Sequence, residues 1–283
     1  MIKPVLQDDA FLADVERTRA DRSGKIRLWW LGQSGFLIQW MGRHLLLDPY
    51  LSDSLTKKYE NTQKPHVRMT ERVIAPESLG FVDLIASTHN HTDHLDAETI
   101  IPLLTVARHD VAILVPAANR TFAAKRLNLE PGQLLTIDAG QSVESKGFDM
   151  TAVAAAHDKL ETDEKGHFLC LGYIVRAGPW TIYHSGDTVF YPGLETVLKP
   201  HAVDVAILPI NGKVGNMNGL DAARLARMID AKLVVPCHYE MFEFNTASPD
   251  DFMAECEQLG QPYRVMRAGE GLTLPPLPQE GEP

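Results

Sequence analysis

Short apolar runs alternate along the chain with polar turns that carry glycine or proline. Near the start, Phe11, Leu12 and Val15 recur at helical spacing and predict a leading helix over residues 8–20. Three apolar runs follow, separated by glycine-bearing turns: 26–30, 35–40 and 44–48. Such spacing is typical of an antiparallel meander.

The rest of the chain continues with strands in two batches, each accompanied by helices. Strand-like runs lie at 82–88, 112–116, 133–139, 150–156, 169–177, 180–187, 203–210 and 231–239. Helix-like segments lie at 97–107 and 117–127, at 220–230, and from Pro249 onward. This order predicts an α/β fold in which two sheets pack face to face between helices, a four-layer αββα sandwich. We expect one domain over residues 1–273, with 1–24 as a leading helix or arm and 274–283 as a flexible tail.

Residues 49–80 depart from this pattern because they are polar, contain proline and are only weakly periodic. Long irregular segments within compact domains are often functional loops. Four basic residues of the segment are candidates for neutralising a phosphate on a substrate: Lys57, Lys58, Arg68 and Arg72. A solvated charged loop is the favoured interpretation of these four.

Composition narrows the class of protein without identifying it. The 283 residues are 45% hydrophobic and carry a net charge of −10, which is ordinary for a globular protein and disfavours a nucleic-acid binder. The three cysteines form no C-x-x-C pair, and no apolar run approaches the ~18 residues that a transmembrane helix needs. We find no secretory signal pattern, and we expect a cytoplasmic protein without membrane contact.

The stretch "THNHTDHLD" carries the strongest chemical signal. Three of the eleven histidines fall within six residues here, as His89, His91 and His94, with Asp93 among them. First-row divalent metals accept imidazole nitrogen and carboxylate oxygen. Residues two apart in an extended segment project to one side, so His89 and His91 are expected to bind one ion while Asp93 and His94 face a second.

Four ligands cannot complete two metal sites, and three later strand ends supply further donors. His157 ends "AVAAAH", Asp187 follows "WTIYHSG", and His238 ends "AKLVVPCH". Each of these residues stands where a buried strand runs into a loop, which is where a rigid scaffold can direct a side chain. Taken alone, each would be interpreted as a surface histidine or a turn aspartate.

Together, these motifs resemble the metallo-β-lactamase superfamily of binuclear hydrolases, from about Trp29 to about His238. The resemblance implies two divalent ions and the following ligands: His89, His91 and His157 for the first, Asp93, His94 and His238 for the second, and Asp187 bridging both. Asp48, which ends "HLLLD", matches an early strand-end aspartate that orients a ligand histidine. The donor set suits Zn²⁺ or Mn²⁺, and Fe²⁺ is also acceptable.

Within that superfamily, "WWLGQSGFLI", "YHSGDT" and "VVPCHYEMF" look like the L-ascorbate-6-phosphate lactonase-like branch. This resemblance implies a hydrolase acting on a small lactone or ester, with a sugar-phosphate lactone as the best guess. Two ions about 3.5–4 Å apart would share a water and lower its pKa from 15.7 towards about 7, which by the resemblance would supply a hydroxide nucleophile for the carbonyl at neutral pH. Asp93 and Asp187 are the candidate catalytic carboxylates.

Two alternatives remain open at this point. The same ligands support phosphodiester cleavage in other branches, although the acidic net charge weighs against nucleic acid as a partner. A non-catalytic metal-binding or sensing protein is the alternative from another class, and its weakness is that all seven ligands are kept. The expected partner is a small molecule, anionic or neutral, and self-association is left open.

Four further residues are weaker candidates for the site. His184 is interpreted as a residue that supports a metal ligand, with a satisfied core histidine as the alternative. Lys213 and Asn216 lie in the glycine-rich "NGKVGNMNG", where the superfamily has substrate loops, and a contact with substrate is the less favoured interpretation. Tyr239 directly follows His238 and would either contact a reacting oxygen or pack in the core.

Overall fold

The computed structural model describes residues 1–274. Its helices are α1 (Asp8–Arg19), α2 (Ser54–Tyr59), α3 (Ala97–Thr105), α4 (Arg120–Leu127), α5 (Leu194–Leu198), α6 (Gly219–Met228) and α7 (Asp250–Leu259). The strands of the first half are β1 (Ile26–Gly32), β2 (Gly35–Trp40), β3 (Arg43–Leu47), β4 (Leu84–Ala86), β5 (Ala112–Pro116) and β6 (Leu135–Ile137). Those of the second half are β7 (Ser142–Ser145), β8 (Phe148–Ala154), β9 (Leu171–Ala177), β10 (Trp180–His184), β11 (Val205–Pro209), β12 (Leu233–Cys237) and β13 (Gly271–Leu274).

The strands form two mixed sheets. The first has the order β13-β1-β2-β3-β4-β5-β6 and the second has the order β12-β11-β10-β9-β8-β7. Within the first, β1, β2 and β3 are the predicted antiparallel meander, and β3 to β6 run parallel. Within the second, β10, β11 and β12 run parallel.

Alternation along β1 explains why both faces of the first sheet are buried. Leu28 and Trp30 join the core between the two sheets, whereas Trp29 and Leu31 join a second core under α1, α3 and α4. Because successive side chains of a strand point to opposite faces, a strand covered on both sides has a continuous apolar run. The second sheet is covered on its outer face by α6 and α7, whose Leu225 and Phe252 join its core. The predicted αββα sandwich is therefore confirmed.

Four elements were not predicted, and each has a local reason. The polar edge strand β7 lacks an apolar run. Helix α5 has five residues, which are too few to show a repeating helical pattern of apolar positions. Strand β13 is defined by its antiparallel pairing with β1, and α2 lies within the segment predicted to be irregular. Leu274 ends β13, and the rest of the predicted tail, 275–283, lies outside the described residues. Of the helices between residues 1 and 274, none is long and apolar enough to cross a membrane.

One edge of the sandwich collects the loops that matter for function. The strands β3, β4, β10 and β12 all end there. The turn between β1 and β2 contacts the end of β12, where the His238 N–H donates to the Gln33 carbonyl at 3.0 Å. Carboxyl ends of parallel strands share one edge of a sheet, so residues far apart in sequence come together there. Six of the seven predicted ligands follow β4, β10 or β12, and His157 follows the antiparallel strand β8.

Candidate metal centre

The structure brings all seven predicted ligands together at this edge. Asp187 lies at the centre: its Oδ1 is 3.3 Å from His94 Nε2, and its Oδ2 is 3.3 Å from His238 Nε2 and 3.7 Å from His157 Nε2. Three groups have ligand atoms within 4.8 Å of one another: His89/His91/His157, His89/His94/Asp187 and Asp93/His94/His238. The first and third are the two ligand triads that the sequence predicted, and Asp187 lies between them.

Asp48 fixes the orientation of two of these histidines. Its Oδ2 accepts a hydrogen bond from His94 Nδ1 at 2.7 Å and another from the Thr88 hydroxyl at 2.7 Å. Because that hydroxyl gives its proton to Asp48, it accepts from His89 Nδ1 at 3.1 Å. Both histidines therefore carry a proton on Nδ1 and direct Nε2 to the centre, the orientation that ligand histidines need.

Unpartnered buried atoms test whether a metal fits here. Within residues 1–274, His89 Nε2, His94 Nε2 and Asp187 Oδ1 are buried and have no hydrogen-bond partner. A buried polar atom without a partner costs free energy, and native proteins rarely leave several of them facing one another. Nitrogen lone pairs and a carboxylate oxygen that converge in this way form the donor set of a first-row divalent cation. The residues present fit a metal ion.

The electrostatics of His89 and Asp187 agree with that donor set, and those of His94 add a proton that a metal ion has to displace. Burial holds the pKa of His89 well below its ordinary value, so the ring is neutral and its lone pair is free. Burial would also raise the pKa of Asp187, but the nearby His238 and His94 outweigh it and hold that pKa well below its usual range. For His94, burial would lower the pKa, but the carboxylates of Asp187, Asp48 and Asp93 outweigh it and raise that pKa, so without a metal the ring favours a second proton on Nε2, which a bound cation would displace. Asp187 is thus an anion at neutral pH, ready to pair with a cation.

Gln33 belongs to the centre and was not predicted. It is fully buried in the turn between β1 and β2, and its Nε2 donates to Asp93 Oδ2 at 2.8 Å while lying 3.0 Å from His238 Nε2. The amide thus contacts two members of the Asp93/His94/His238 triad. In the sequence, Gln33 is a polar residue in the glycine-bearing turn between two neighbouring strands. That position does not indicate a contact with Asp93, which lies sixty positions later.

We expect Gln33→Ala to weaken metal binding at the Asp93/His94/His238 triad about tenfold, because residues that orient ligands are worth about 10–100-fold in metal affinity. The other triad should keep its affinity, so a competition titration against a chelator should separate the two sites. Gln39→Ala is the matched control, since Gln39 is an equally buried amide that instead bonds to Thr18. Equal metal affinities in the two variants would contradict this role for Gln33.

His184 supports the loop that carries Asp187. It is fully buried, its Nε2 donates to the Ser34 carbonyl at 2.9 Å, and its Nδ1 accepts from the Gly186 N–H at 3.2 Å. Burial lowers the pKa of His184, which keeps the ring neutral as this pair of bonds requires. Gly186 has a φ of +60°, and an added Cβ would lie 2.7 Å from Thr88 Cβ, so the loop packs tightly against the histidine segment. His184 therefore ties the Asp187 loop to the β1–β2 turn.

A pocket of about 380 Å³ opens onto the centre, and it does not include the three weaker substrate candidates. The prediction of a reacting contact for Tyr239 is corrected: its hydroxyl donates to the Met266 carbonyl and its ring stacks on Trp30, 4.5 Å away. Lys213 donates to the Phe244 carbonyl at 3.3 Å, outside the pocket. Asn216 is buried and does not line the pocket, and neither its Oδ1 nor its Nδ2 has a hydrogen-bond partner in the described chain.

The basic residues of 49–80 separate into two kinds. Arg68 is structural: its guanidinium donates to Asp53, to the Thr70 carbonyl and to the Ser52 carbonyl. Lys57 pairs with Glu98 at 2.8 Å, and Lys57 and Arg72 line a different groove. Lys58 lines the pocket over the candidate centre, together with Lys64, which was not predicted.

Comparison with known proteins agrees with the fold and the centre. A family model described as a beta-lactamase superfamily domain matches residues 27–238. A "UPF0173 metal-dependent hydrolase" from Opitutus terrae is 31% identical over 259 residues, 88% of this chain and 100% of that protein. One of the same description from Methanosarcina mazei is 27% identical over 258 residues, 88% of this chain and 99% of that protein. The structure of Igni18, a metallo hydrolase from Ignicoccus hospitalis, superposes with a TM-score of 0.64 at 23% identity, covering 88% of this chain and 98% of Igni18.

The chain therefore belongs to the beta-lactamase superfamily, and within it to the UPF0173 metal-dependent hydrolase family. The resemblance to the metallo-β-lactamase superfamily that the histidine motif indicated is confirmed. The similarity to Igni18 supports the fold.

Proposed function

We propose that this protein is a binuclear metal-dependent hydrolase of small lactones or esters, with a sugar-phosphate lactone as the leading candidate. The observation that carries the proposal is the convergence of seven histidine and aspartate side chains at the floor of a pocket. Several of their ligand atoms are buried there without a hydrogen-bond partner in the described chain. Relatives that align with this chain over their whole length are described as metal-dependent hydrolases, which supports the reaction class.

In this proposal, His89, His91 and His157 would hold one ion, Asp93, His94 and His238 would hold a second, and Asp187, which lies between the two triads, would contribute to both. Zn²⁺ and Mn²⁺ both suit these donors, and Fe²⁺ is acceptable. When bound, the ions would supply Lewis acidity towards the carbonyl oxygen and a water of lowered pKa. No serine or cysteine nucleophile is then required.

Asp93 is the residue suited to move a proton. Its side chain is 16% exposed, it lines the pocket, and Gln33 holds its Oδ2. A carboxylate fixed at the pocket floor can accept the proton of an attacking water and return it to the leaving oxygen. In a lactone that oxygen stays attached to the product, which is a ring-opened hydroxy acid.

The size of the pocket favours a small molecule. Its volume of about 380 Å³ lies near the lower end of the roughly 300–1,000 Å³ found for small-ligand sites. This volume supports a small substrate as the partner, and the net charge of −10 weighs against nucleic acid.

The test is to load purified apoprotein with Zn²⁺ or Mn²⁺ and to assay sugar lactones, including phosphorylated ones, beside bis(4-nitrophenyl) phosphate. We expect metal-dependent ring opening well above the phosphodiester rate, lost in His91→Ala and kept in His201→Ala, which changes a histidine outside the centre. Cleavage of the phosphodiester alone would overturn the substrate class. Metal binding without turnover of any of these compounds would indicate the non-catalytic alternative.

A further inference from the structure

The pocket over the candidate centre is lined by three cationic side chains in a protein of net charge −10. They are Lys58, Lys64 and Arg126. Within residues 1–274, the acids that line this pocket are Asp93 and Asp187, and both face histidines of the centre. Apart from the centre itself, the walls of the pocket are therefore positive.

Arg126 is the best anchored of the three cations. It lies on α4, and its Nη1 donates to the carbonyl of Asn90 at 2.6 Å and to that of Leu95 at 3.3 Å. These carbonyls belong to the loop that carries His91 and Asp93, so the guanidinium is fixed beside the proposed ligands. Its other face stacks on Phe122, with 4.4 Å from the guanidinium carbon to the ring centre. In the part of the chain that the structure describes, no carboxylate lies within 4.0 Å of it.

An anchored guanidinium without a carboxylate partner has unused donors. Two backbone carbonyls occupy Nη1, while Nε and Nη2 have no acceptor among residues 1–274. Arginine presents its donors in a planar fork that matches a carboxylate or a phosphate, and Asp96 acts on this half-buried guanidinium only from beyond contact distance. A substrate anion would supply the missing partner.

Lys58 and Lys64 come from a wall that aromatic contacts hold in place. The His66 ring stacks on Tyr59 at 4.3 Å and meets Phe244 at 4.4 Å. Lys58 Nζ lies 5.1 Å from the centre of the Tyr59 ring, and neither lysine pairs with a described carboxylate. By contrast, the neighbouring Lys57, outside this pocket, pairs with Glu98.

We propose that the pocket selects substrates that carry an anionic carboxylate or phosphate group, bound by Arg126 with Lys58 and Lys64, while the hydrolysed bond lies over the centre. This inference rests on the proposed function, because it names what that hydrolase recognises. The rings of Tyr59, Phe122 and Phe244 would pack against the body of the substrate between the anion and the scissile bond. Hydrogen bonds to charged groups are the strong ones, so the preference should be measurable.

The test uses esters that differ only in charge. We would compare kcat/KM for 4-acetoxybenzoate with that for the isosteric neutral 4-acetoxybenzamide, and add 4-acetoxyphenyl phosphate to distinguish phosphate from carboxylate. In the wild type, we expect the anionic esters to be favoured about tenfold or more. Arg126→Met, and separately the Lys58→Met/Lys64→Met pair, should each lower that ratio about tenfold.

Two controls and a conservative variant complete the test. Lys57→Met and Lys125→Met change neighbouring cations outside the pocket and should leave the ratio as it is in the wild type. Should Arg126→Met fail to fold, Arg126→Lys keeps a donor for the Asn90 carbonyl but loses the fork, and the lysine pair tests the same idea independently. An unchanged ratio in the lysine pair and in the folded Arg126 variant, with metal content intact, would overturn the anion site.

The outcome also separates this inference from the proposed function. If the metal-loaded wild type cleaves none of the esters, calorimetric binding of 4-hydroxybenzoate against 4-hydroxybenzamide still reports on the anion site. Tighter binding of the benzoate that is lost in the variants would support the anion site, although the hydrolase proposal would have failed. Cleavage of charged and neutral esters at equal rates would support the hydrolase proposal and contradict the anion site.

Discussion

Replacing Asp187 by alanine is expected to lower hydrolysis by about a thousandfold or more and to cut bound metal from about two ions per chain to one or fewer. Among the described residues, Asp187 is the one carboxylate that lies within 3.7 Å of all three of the Nε2 atoms of His94, His157 and His238. Its removal takes away the negative charge shared by the two triads and leaves Asp93 as the remaining carboxylate of the seven ligands, so divalent ions are held less well. Metal content by mass spectrometry and kcat/KM are the two measurements.

The matched control is Asp110→Ala, which removes an exposed carboxylate whose side chain is 93% accessible and which pairs only with Lys146. Surface pairs of this kind contribute little, so metal content and rate should both stay near wild type. A folded Asp187→Ala protein with full metal content and undiminished turnover would remove Asp187 from the centre.

Asp48→Ala is expected to weaken metal binding by about 10–100-fold without removing any ligand. Asp48 fixes His94 directly and His89 through the Thr88 hydroxyl, so its loss frees two rings to rotate and to exchange tautomers. Thermal unfolding should also shift downward in the metal-free protein, because Thr88 N–H loses its acceptor, Asp48 Oδ1, 2.7 Å away. A chelator titration and a melting curve measure the two effects separately.

Asp83→Ala provides the comparison for Asp48, since Asp83 is also buried and lies at the opposite end of the parallel pair β3 and β4. There it accepts from Arg43 and from the His44 N–H, far from the centre. We expect Asp83→Ala to lower stability while leaving metal affinity unchanged. Equal losses of metal affinity in the two variants would show that Asp48 acts through stability alone.

Much of the fold could be predicted from the sequence because both sheets have continuous apolar strands. In β1, the run Ile26–Gly32 is buried on both faces and could be identified without any tertiary information. The short or polar elements could not be predicted in that way. Strand β13 exists because β1 offers it an edge, and β7 pairs with β8 while facing solvent with alternate residues. These elements depend on pairing rather than on their own composition.

The candidate ligands could be predicted because the His89–His94 motif is local and the other three ligands each end an apolar strand. Tyr239 shows the limit of that reasoning. Its neighbour His238 faces the centre, but the chain leaves β12 at Cys237 and turns at His238, whose φ is +62°, and the Tyr239 ring packs in the core against Trp30. Adjacency in sequence was therefore the wrong guide to adjacency in the site.

Gln33, Lys64 and Arg126 were missed for the opposite reason. Gln33 and Arg126 reach the centre or its pocket through contacts with residues distant in the chain, Gln33 with Asp93 and Arg126 with the Asn90 carbonyl, 36 positions away, and Lys64 lines the pocket from residues 55–66. Single glutamine, lysine and arginine residues are common on protein surfaces, so composition and spacing gave them no distinction. Their interpretation required the packing of α4, the β1–β2 turn and residues 55–66 around one pocket.

Anomalous diffraction from crystals of the metal-loaded protein, collected at the absorption edge of the added Zn²⁺ or Mn²⁺, tests the central claim most directly. The account predicts two peaks per chain, one among His89, His91 and His157 and one among Asp93, His94 and His238, with Asp187 contacting both. A fully loaded crystal with no peak at either triad, or with its metal bound elsewhere on the chain, would contradict it.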